Sequence, residues 1–309
     1  MRIIVTGGAG FIGGHLVDGL ALAGHDVHVV DNLSTGRREN VGDRAALHQL
    51  DIRDRGLAAL LQEIRADALV HLAAQMDVRK SVADPVYDAD VNVIGALNVL
   101  EAARLSGVRK LVYASTGGAV YGEPERIPVA EDHPLRPLSP YGASKQAFEQ
   151  YLSMYEGLYG MRATTLRLSN VFGPRQDPHG EAGVVAIFSL RLLEGKACTI
   201  FGDGSKTRDY VYVADVVAAF EAALARDMGG TFNIGRGIEV SDREVYDAVR
   251  QAVGGSLEPV YADRRPGEIE RIALDAGRAR RELPWSPRTD FARGVELAVA
   301  HYRAHGGPR

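Results

Sequence analysis

MRIIVTGGAGFIGG, residues 1–14, is the stretch that decides the fold of this chain. Arg2 to Thr6 is an apolar, β-branched run that predicts a buried strand, and a helical pattern runs from Phe11 to Ala23. Gly7, Gly10 and Gly13, from the end of the strand into the helical pattern, stand at G-x-x-G-x-x-G spacing. A strand that turns into a helix through glycines exposes backbone N–H groups and the positive end of the helix dipole, which suit a dinucleotide pyrophosphate. A tight turn that binds nothing is the alternative.

The next predicted strand supports the dinucleotide site. Asp26–Val30 is apolar and ends at Asp31, about twenty positions after the glycines, where an acidic residue can accept the ribose hydroxyls. A carboxylate at that place repels the 2′-phosphate of NADP. The sequence therefore favours NAD over NADP.

Strand-like and helix-like segments alternate up to about residue 170. The strand candidates are 2–6, 26–30, 46–50, 68–72, 109–114 and 162–168, and the helical patterns are 11–23, 54–65, 86–106 and 141–158. This alternation predicts an α/β fold with a Rossmann-type doubly wound parallel sheet, covered on both faces. After Asn170, loops rich in Gly and Pro separate helical patterns at 184–195, 213–225, 241–253 and 291–305. We predict an NAD-binding domain over 1–170 and a smaller C-terminal α/β substrate domain over 171–309, from which part of 213–237 returns to the first sheet.

The composition is typical of a globular protein, since 46% of the 309 residues are hydrophobic and 25% are charged. The net charge of −4 argues against a nucleic-acid partner. No apolar stretch is long enough to span a bilayer, and no signal peptide is visible. The histidines form no metal-ligating cluster. The single cysteine, Cys198, fits a reducing compartment and a packed core position. We therefore expect a cytoplasmic protein without a metal or a membrane contact.

The second motif is SPYGASK, residues 139–145. Ser139 is a good N-cap and Pro140 suits the first helical position, so a helix should begin here. Tyr141 and Lys145 then lie on one helical face. A nearby ammonium should lower the pKa of the tyrosine, which makes the pair a proton acceptor beside a cofactor. Tyr-x-x-x-Lys occurs by chance in many helices, but here it follows the fifth predicted strand of a dinucleotide-binding sheet.

The third motif is ASTGGAVYG, residues 114–122, at the carboxyl end of that fifth strand. A hydroxyl of Ser115 or Thr116 could bind a substrate oxygen there. A Ser/Thr/Gly turn without a ligand explains the same spacing equally well.

Several motifs taken together resemble a known family. TGGAGFIG (6–13), DNLS (31–34), DI (51–52), HLAA (71–74) and the Tyr141–Lys145 pair resemble the extended short-chain dehydrogenase/reductases. Within that superfamily, NVFGPRQDP (170–178), FGDG (201–204) and RDYV (208–211) resemble the UDP-galactose (UDP-glucose) 4-epimerase family. The resemblance covers essentially the whole chain.

The resemblance implies roles for particular residues. Tyr141 would be the base, Lys145 would bind the nicotinamide ribose, and Thr116 or Ser115 would contact the sugar O4. The residues implied to bind NAD are Gly7, Gly10, Phe11, Ile12, Asp31, Asn32, Ser34, Thr35, Asp51, Ile52, Leu72, Ala73, Ala74, Asn92, Tyr141 and Lys145. Those implied to bind UDP are Asn170, Val185, Thr199, Phe201, Arg208 and Arg265, with Glu268 at the uridine. Guanidinium forks also suit a diphosphate on electrostatic grounds.

The implied function is a UDP-glucose 4-epimerase that interconverts UDP-galactose and UDP-glucose through a 4-keto intermediate with tightly bound NAD. The family also implies a homodimer packed through the helices near 86–106 and 141–158. The alternative is another nucleotide-sugar epimerase or dehydratase, or a UDP-glucuronate-modifying enzyme of the same superfamily. A dehydratase needs an acid–base pair after the Ser/Thr, where this chain has Gly117 and Gly118. An NAD-sensing regulatory protein on the same fold would need neither Tyr141 nor Lys145.

The chain departs from the family pattern in several places. An additional glycine leaves the catalytic hydroxyl open between Ser115 and Thr116. Glu268 stands where aspartate is usual, and Leu168-Ser169 replaces bulkier aromatic residues. Ile272 stands where a tyrosine would narrow the sugar pocket, so larger N-acetylated sugars are one expectation. A core position for Ile272 is the equal alternative.

Overall fold

A computed structural model describes residues 1–178, 183–264 and 269–306 of the chain. Twelve strands lie in these ranges. They are β1 (Arg2–Thr6), β2 (Asp26–Asp31), β3 (Ala45–Gln49), β4 (Ala68–His71), β5 (Lys110–Thr116), β6 (Arg162–Leu168), β7 (Asn170–Phe172), β8 (Thr199–Phe201), β9 (Thr207–Tyr212), β10 (Gly230–Ile234), β11 (Glu239–Ser241) and β12 (Val260–Ala262).

Seven of these strands form one parallel sheet in the order β10-β6-β5-β4-β1-β2-β3. The strand order reverses between β1 and β4, so their carboxyl ends border the crevice where α/β proteins bind ligands. Two smaller sheets follow, one with the order β11-β9-β7 and one that pairs β12 with β8. The predicted Rossmann-type doubly wound sheet is confirmed.

The described helices are α1 (Phe11–Leu22), α2 (Leu57–Ile64), α3 (Val78–Ala83), α4 (Pro85–Ala89), α5 (Ala96–Leu105), α6 (Gly117–Val120), α7 (Pro140–Tyr159), α8 (Val184–Leu193), α9 (Val213–Ala225), α10 (Asp242–Val253), α11 (Gly277–Glu282) and α12 (Phe291–His305). A 3₁₀ turn covers Arg38–Asn40, and a π-helical turn covers Asp90–Gly95. In the three described ranges, no helix has the length and apolarity needed to cross a membrane.

Two of the predicted helices need correction. The continuous helix predicted over 86–106 is wrong, because this stretch consists of α4, the π-helical turn and α5. Inside the π-helical turn, the side chain of Asn92 bonds the loop at Gln75, a contact that sequence periodicity does not encode. The helix predicted over 54–65 begins only at Leu57. The side chain of Asp54 accepts the N–H of Gly56 at 2.7 Å, and such a local turn competes with the helix.

Both faces of the sheet are buried. Successive side chains of its strands point to opposite faces, so one strand can contribute to two apolar clusters. In β1, Ile3 and Val5 pack in one apolar cluster with residues of α1 and α9, and Ile4 packs in a second cluster with residues of α2, α5 and α7. A third cluster joins α8, α10 and α12 outside the large sheet. The core of the sheet thus holds the strand ends, and with them the crevice, in fixed positions.

One later segment of the chain lies with the large sheet. Strand β10 pairs with β6, with Gly230 opposite Thr164, and α9 packs on the same face of the sheet as α1. The N–H of Ser169 bonds the carbonyl of Ile234 at 2.9 Å and continues this pairing beyond β6. The chain therefore returns to the sheet after β9 and completes one edge of it.

Candidate active site

The turn between β1 and α1 lies at the crevice of the large sheet. Gly7 has a φ of +73°, and a Cβ there would lie 2.5 Å from the backbone nitrogen of Ala73, so no side chain fits between the turn and the segment after β4. Helix α1 starts after Gly10, and no described side chain caps it. Phe11 and Ile12 belong to its first turn. An uncapped helix start at this edge suits a phosphate.

Asp31 ends β2 and faces this turn. Its Oδ2 accepts the N–H of Ala9 at 3.0 Å, and its Oδ1 accepts the N–H of Leu33 at 2.8 Å, with only 7% of the residue exposed. Asn32, Ser34 and Thr35 follow in the same loop. The structure therefore brings the predicted ribose carboxylate against the predicted phosphate turn.

Asp51 follows β3 and is tied to two neighbours. Arg53 donates to it at 2.8 and 2.9 Å, and Asn32 Nδ2 donates at 2.8 Å. The hydrogen bonds from Arg53 hold the pKa of this carboxyl well below its usual range. Ile52 packs in the core beside it. The sequence-predicted adenine contacts of Asp51 and Ile52 stay a prediction.

His71 ends β4, just before Leu72, Ala73 and Ala74. Its Nδ1 is hydrogen-bonded to Thr6 Oγ1 at 2.7 Å across the crevice strands, and its ring stacks on Tyr113. Burial lowers the pKa of His71 to about 3, and the charge of Lys145 acts in the same direction. A neutral imidazole therefore fixes the two strand ends between which the cofactor is expected.

Asn92 is buried in the π-helical turn and its amide group is used within the protein. Its Oδ1 accepts the N–H of Gln75 at 2.9 Å, and its Nδ2 donates to the carbonyl of Gln75 at 2.8 Å and to Asp88 Oδ1 at 3.0 Å. Asn92 thus holds the loop that follows β4 from below. Its predicted place near the cofactor stays a prediction.

The helix predicted at SPYGASK is confirmed as α7. Ser139 Oγ accepts the N–H of Gly142 at 3.2 Å, and Pro140 is the first helical residue. Lys145 Nζ donates to the carbonyl of Ala114 at 3.0 Å and lies 5.8 Å from the ring centroid of Tyr141. The two residues are therefore neighbours beside the carboxyl end of β5.

The expected lowering of the Tyr141 pKa is not found. Burial raises the pKa of Tyr141 above its ordinary value, and the negative charge of Asp88 raises it further. Burial also lowers the pKa of Lys145 to about 8, against the opposing charges of Asp88 and Glu149. The sequence argument counted only the ammonium four residues away, whereas the folded chain adds desolvation and a buried carboxylate.

Ser115 and Thr116 end β5 in different surroundings. Ser115 is buried, and its Oγ donates to Glu149 Oε1 at 2.5 Å. Thr116 is partly exposed, and a Cβ built at Gly118 would lie 3.8 Å from Thr116 Oγ1 and 3.6 Å from Asn170 Oδ1. The hydroxyl of Ser115 donates to a side chain of the protein, and that of Thr116 lies near Gly118 in α6.

A buried ion pair lies behind these hydroxyls. Arg167 on β6 contacts Glu149 on α7 at 2.6 Å, and both side chains are less than one-tenth exposed. Arg167 Nη1 also donates to Tyr121 Oη at 2.9 Å, and Tyr121 donates to Asn233 Oδ1 at 2.7 Å. This network joins β5, β6, α7 and β10 beneath the site.

The residues predicted to bind UDP are spread over the later elements. Asn170 begins β7, and Thr199 and Phe201 bound β8. Val185 is buried in the third apolar cluster, and Arg208 on β9 donates to the carbonyl of Thr207 at 2.7 Å. Arg265 and Glu268 lie outside the described residues. Their predicted contacts stay predictions.

Two further sequence hypotheses concern buried residues. Ile272 is 2% exposed and packs with Val120, Tyr121, Val129, Ile269 and Leu274, which favours its core position over a gate at the sugar pocket. Cys198 is buried in the third apolar cluster, and burial raises the pKa of its thiol to about 11. A protonated, packed thiol fits the core role expected from the sequence.

Sequence reasoning missed Asp88, Glu149 and Arg167, and gave no role to His71 although its motif was noted. Glu149 had a usable signal, because it continues the face of Tyr141 and Lys145 by four residues. The pairing of Glu149 with Arg167 had none, because Arg167 belongs to a separate strand. Whether a charged residue is buried and paired depends on neighbours that only the folded chain brings together.

The chain is similar to known proteins. A model of the NAD dependent epimerase/dehydratase family matches residues 3–235. The UDP-glucose 4-epimerase of Mycolicibacterium smegmatis is 50% identical, and the match covers 98% of this chain and 99% of that protein.

Two solved structures are similar over almost their full length. The crystal structure of the Thermus thermophilus UDP-glucose 4-epimerase in complex with NAD is 48% identical, with a TM-score of 0.94 and coverage of 99% of this chain and 100% of that one. The crystal structure of the Thermotoga maritima UDP-glucose 4-epimerase with UDP-glucose is 43% identical, with a TM-score of 0.95 and coverage of 98% and 99%.

Proposed function

The chain belongs to the NAD-dependent epimerase/dehydratase family, and we propose that it is a UDP-glucose 4-epimerase that interconverts UDP-galactose and UDP-glucose. The observation that carries the proposal is the Tyr141–Lys145 pair, which lies beside the carboxyl end of β5 in a chain that matches such an epimerase over its full length. The reaction inverts the configuration at C4 of the sugar and needs no external reductant.

The crevice fits NAD as the cofactor. The uncapped start of α1 can take the pyrophosphate, and the Asp31 carboxylate beside the turn can accept the ribose hydroxyls. Leu72, Ala73 and Ala74 would pass beneath the cofactor, with Asn92 holding their loop. When bound, NAD supplies a reversible two-electron oxidation of the sugar carbon.

Tyr141 Oη would take the proton of the sugar O4 hydroxyl and later return it. Lys145 would bind the nicotinamide ribose and favour the phenolate by its charge. Burial raises the pKa of Tyr141. Positive charges in the site, such as the Lys145 ammonium, would therefore have to lower this pKa before Tyr141 can act as a base near neutral pH. Thr116 is the hydroxyl proposed to contact O4, since Ser115 already donates to Glu149.

The UDP would lie over the later elements, which we propose as the substrate domain from residue 171 onwards. Asn170, Thr199, Phe201, Val185 and Arg208 are proposed on this side. The family resemblance implies that Arg265 and Glu268 would complete the nucleotide contacts, and two arginines suit a diphosphate.

A dehydratase is the competing activity of the family, and one position argues against it. A Cβ at Gly117 would lie 2.4 Å from Leu274 Cδ1, so an acidic side chain directly after Thr116 meets a packed leucine. This chain therefore has glycines, and no acid–base pair, at the two positions after Thr116, and an acidic residue at the first of them would require Leu274 to move.

We also propose a homodimer in a reducing compartment such as the cytoplasm. Large apolar side chains are exposed on neighbouring helical segments, among them Val86, Ile94, Leu105, Met154 and Leu158. Exposed apolar groups concentrated on one set of helices are typical of an interface. The molar mass in solution, measured by light scattering, tests this proposal.

The proposed activity is tested with purified protein, UDP-galactose and no added NAD. We expect an equilibrium mixture with UDP-glucose, resolved by ion-pair chromatography, and NAD that stays with the protein through gel filtration. A panel of other UDP-sugars runs in parallel. Elimination of water from the sugar, or turnover of a UDP-uronic acid but not of UDP-galactose, would replace the proposal with the alternative activity.

A further inference from the structure

Asp88 is a fully buried carboxylate that the sequence assigned no role. It lies on the short helix α4 and is 0% exposed. Its Oδ1 accepts hydrogen bonds from Gln75 Nε2 at 2.9 Å and Asn92 Nδ2 at 3.0 Å, and its Oδ2 accepts one from Ser144 Oγ at 2.8 Å. All three donors are neutral. No ion pair connects Asp88 with a cation of the described chain, so its charge is not cancelled by a direct partner.

The three donors belong to three segments that form the site. Gln75 lies in the loop after β4, Asn92 lies in the π-helical turn, and Ser144 lies on α7 directly before Lys145. The loop is held further by two bonds between Gln75 and Asn92, at 2.8 and 2.9 Å. Asp88 therefore connects the expected cofactor loop with the helix that carries the Tyr141–Lys145 pair.

The charge of Asp88 acts on both members of that pair. It raises the pKa of Tyr141, in addition to the larger effect of burial, and it opposes the lowering of the Lys145 pKa that burial causes. Burying an ammonium is costly unless a negative charge lies near it. Lys145 itself donates to a carbonyl, Ala114 O, which is neutral. A nearby carboxylate without a cation of its own, which is the situation of Asp88, therefore stabilises the charge of this ammonium.

The other charged groups on the segments around Asp88 have contacts of their own. On the loop and the elements packed against α4, these groups are Asp77, Arg79, Lys80, Asp90 and Glu149. Arg79 lies 3.6 Å from Asp77, Lys80 Nζ lies 4.4 Å above the ring of Tyr87, Asp90 pairs with Arg53 at 2.8 Å, and Glu149 pairs with Arg167 at 2.6 Å. On the sheet side of Lys145, Tyr113 presents its ring at 4.8 Å and His71 is neutral because burial lowers its pKa to about 3.

We propose that Asp88 is a positioning residue for the proposed epimerase reaction, which provides the counter-charge of the Lys145 ammonium and anchors α7 to the loop after β4. The inference rests on the proposed function for its kinetic consequence only. The counter-charge itself is a property of the folded chain and can be measured without a substrate.

The counter-charge has a definite consequence for the pH profile. Without the negative charge, the pKa of Tyr141 and the pKa of Lys145 both fall. The acidic limb of kcat, which follows deprotonation of the base, then moves to lower pH. The alkaline limb, which follows loss of the ammonium proton, moves in the same direction. A purely structural role lowers kcat and moves neither limb.

The test compares Asp88→Asn with Ser144→Ala in the NAD-loaded enzyme. Asparagine keeps the size, its Oδ1 can accept from Gln75 and Asn92, and its Nδ2 can donate to Ser144, so mainly the charge is lost. Ser144→Ala removes one hydrogen bond and keeps the charge. We expect both limbs of the UDP-galactose profile to fall by about one pH unit in Asp88→Asn and to stay in place in Ser144→Ala. Unmoved limbs in Asp88→Asn would overturn the proposal.

A second readout does not depend on activity. The lysine ε-carbon signals are followed by NMR as a function of pH, and the Lys145→Arg variant identifies the signal of Lys145. Its pKa is expected to fall in Asp88→Asn and to stay in place in Ser144→Ala, and an equal pKa in wild type and Asp88→Asn would contradict the counter-charge. Absence of turnover in wild type would reject the proposed function and leave this titration decisive. If Asp88→Asn does not fold, Asp88→Ser serves for the same comparison.

Discussion

Helix α7 carries Tyr141 and Lys145, and two buried carboxylates near this pair differ in their partners. On the side of the sheet, Glu149 is paired with Arg167 at 2.6 Å and also accepts the hydroxyl of Ser115. On the side of α4, Asp88 accepts three neutral donors. Glu149 therefore has a cation as its direct partner, whereas Asp88 has none and acts on the charge of Lys145.

The difference separates stability from reactivity. A paired buried charge holds elements together, and its loss leaves the partner uncompensated in the interior. A carboxylate without a direct cation acts more strongly on nearby titratable groups, and Asp88 raises the pKa of Tyr141 and affects the pKa of Lys145 more than Glu149 does. We therefore expect variants on the sheet side to change mainly the free energy of unfolding, and variants on the α4 side to change mainly the pH dependence of turnover.

The largest effect on turnover is expected from a change at Tyr141. Tyr141→Phe removes the proton acceptor and keeps the ring, so kcat should fall on the order of 10²-fold or more while NAD is retained. The control is Tyr151→Phe on the exposed face of the same helix, which should turn over at the wild-type rate. Activity of Tyr141→Phe near that of the control would remove Tyr141 from the role of base.

Arg167→Met tests the sheet side. It leaves Glu149 buried without its cation, and the free energy of unfolding should fall by about 3–5 kcal/mol, measured by urea denaturation. Asp88→Asn keeps three possible hydrogen bonds and should lose much less. The double variant Glu149→Gln/Arg167→Met should recover part of the loss. Equal stabilities of Arg167→Met and Asp88→Asn would erase the contrast between the two sides.

His71 is buried near Lys145. Burial lowers the pKa of His71, and the positive charge of Lys145 lowers it further. Its pKa of about 3 is depressed below the unfolded value of 6.5, so the folded chain binds fewer protons than the unfolded chain. The stabilisation is complete above pH 6.5 and is lost as the pH falls towards 3, at most about 1.4 kcal/mol for each pH unit. Urea unfolding at pH 7, 6 and 5 should show a shallower loss in His71→Asn than in wild type. Parallel losses would mean that His71 is not a neutral buried imidazole.

The smallest expected difference separates the two hydroxyls of β5. Thr116→Val should lower kcat about tenfold, the loss of one hydrogen bond of about 1.4 kcal/mol. Ser115→Ala should instead lower the free energy of unfolding by about 1 kcal/mol, because its hydroxyl bonds Glu149. Steady-state rates and denaturation curves of both variants decide between them. The reverse pattern would place Ser115 at the sugar.

Local features of the chain were predictable because neighbouring residues determine them. The glycine turn, the strand that ends at Asp31 and the α7 start at Ser139 each depend on a few adjacent residues, and the structure has them where the sequence placed them. The alternation of strands and helices likewise predicted the parallel sheet. The family pattern of Tyr141 and Lys145 then directed attention to the carboxyl edge of β5.

The sequence by itself therefore determined the fold class, the glycine turn before α1 and the placement of Tyr141 and Lys145 on one helix. Only the tertiary structure showed the direction of the pKa shifts of that pair, the hydrogen bond from Ser115 to Glu149 and the break in the helix predicted over 86–106. The physical reason is that desolvation and charge–charge interaction depend on distances in space. Asp88 reaches Ser144 across 56 positions, and Ser115 reaches Glu149 across 34. Only folding makes such residues neighbours.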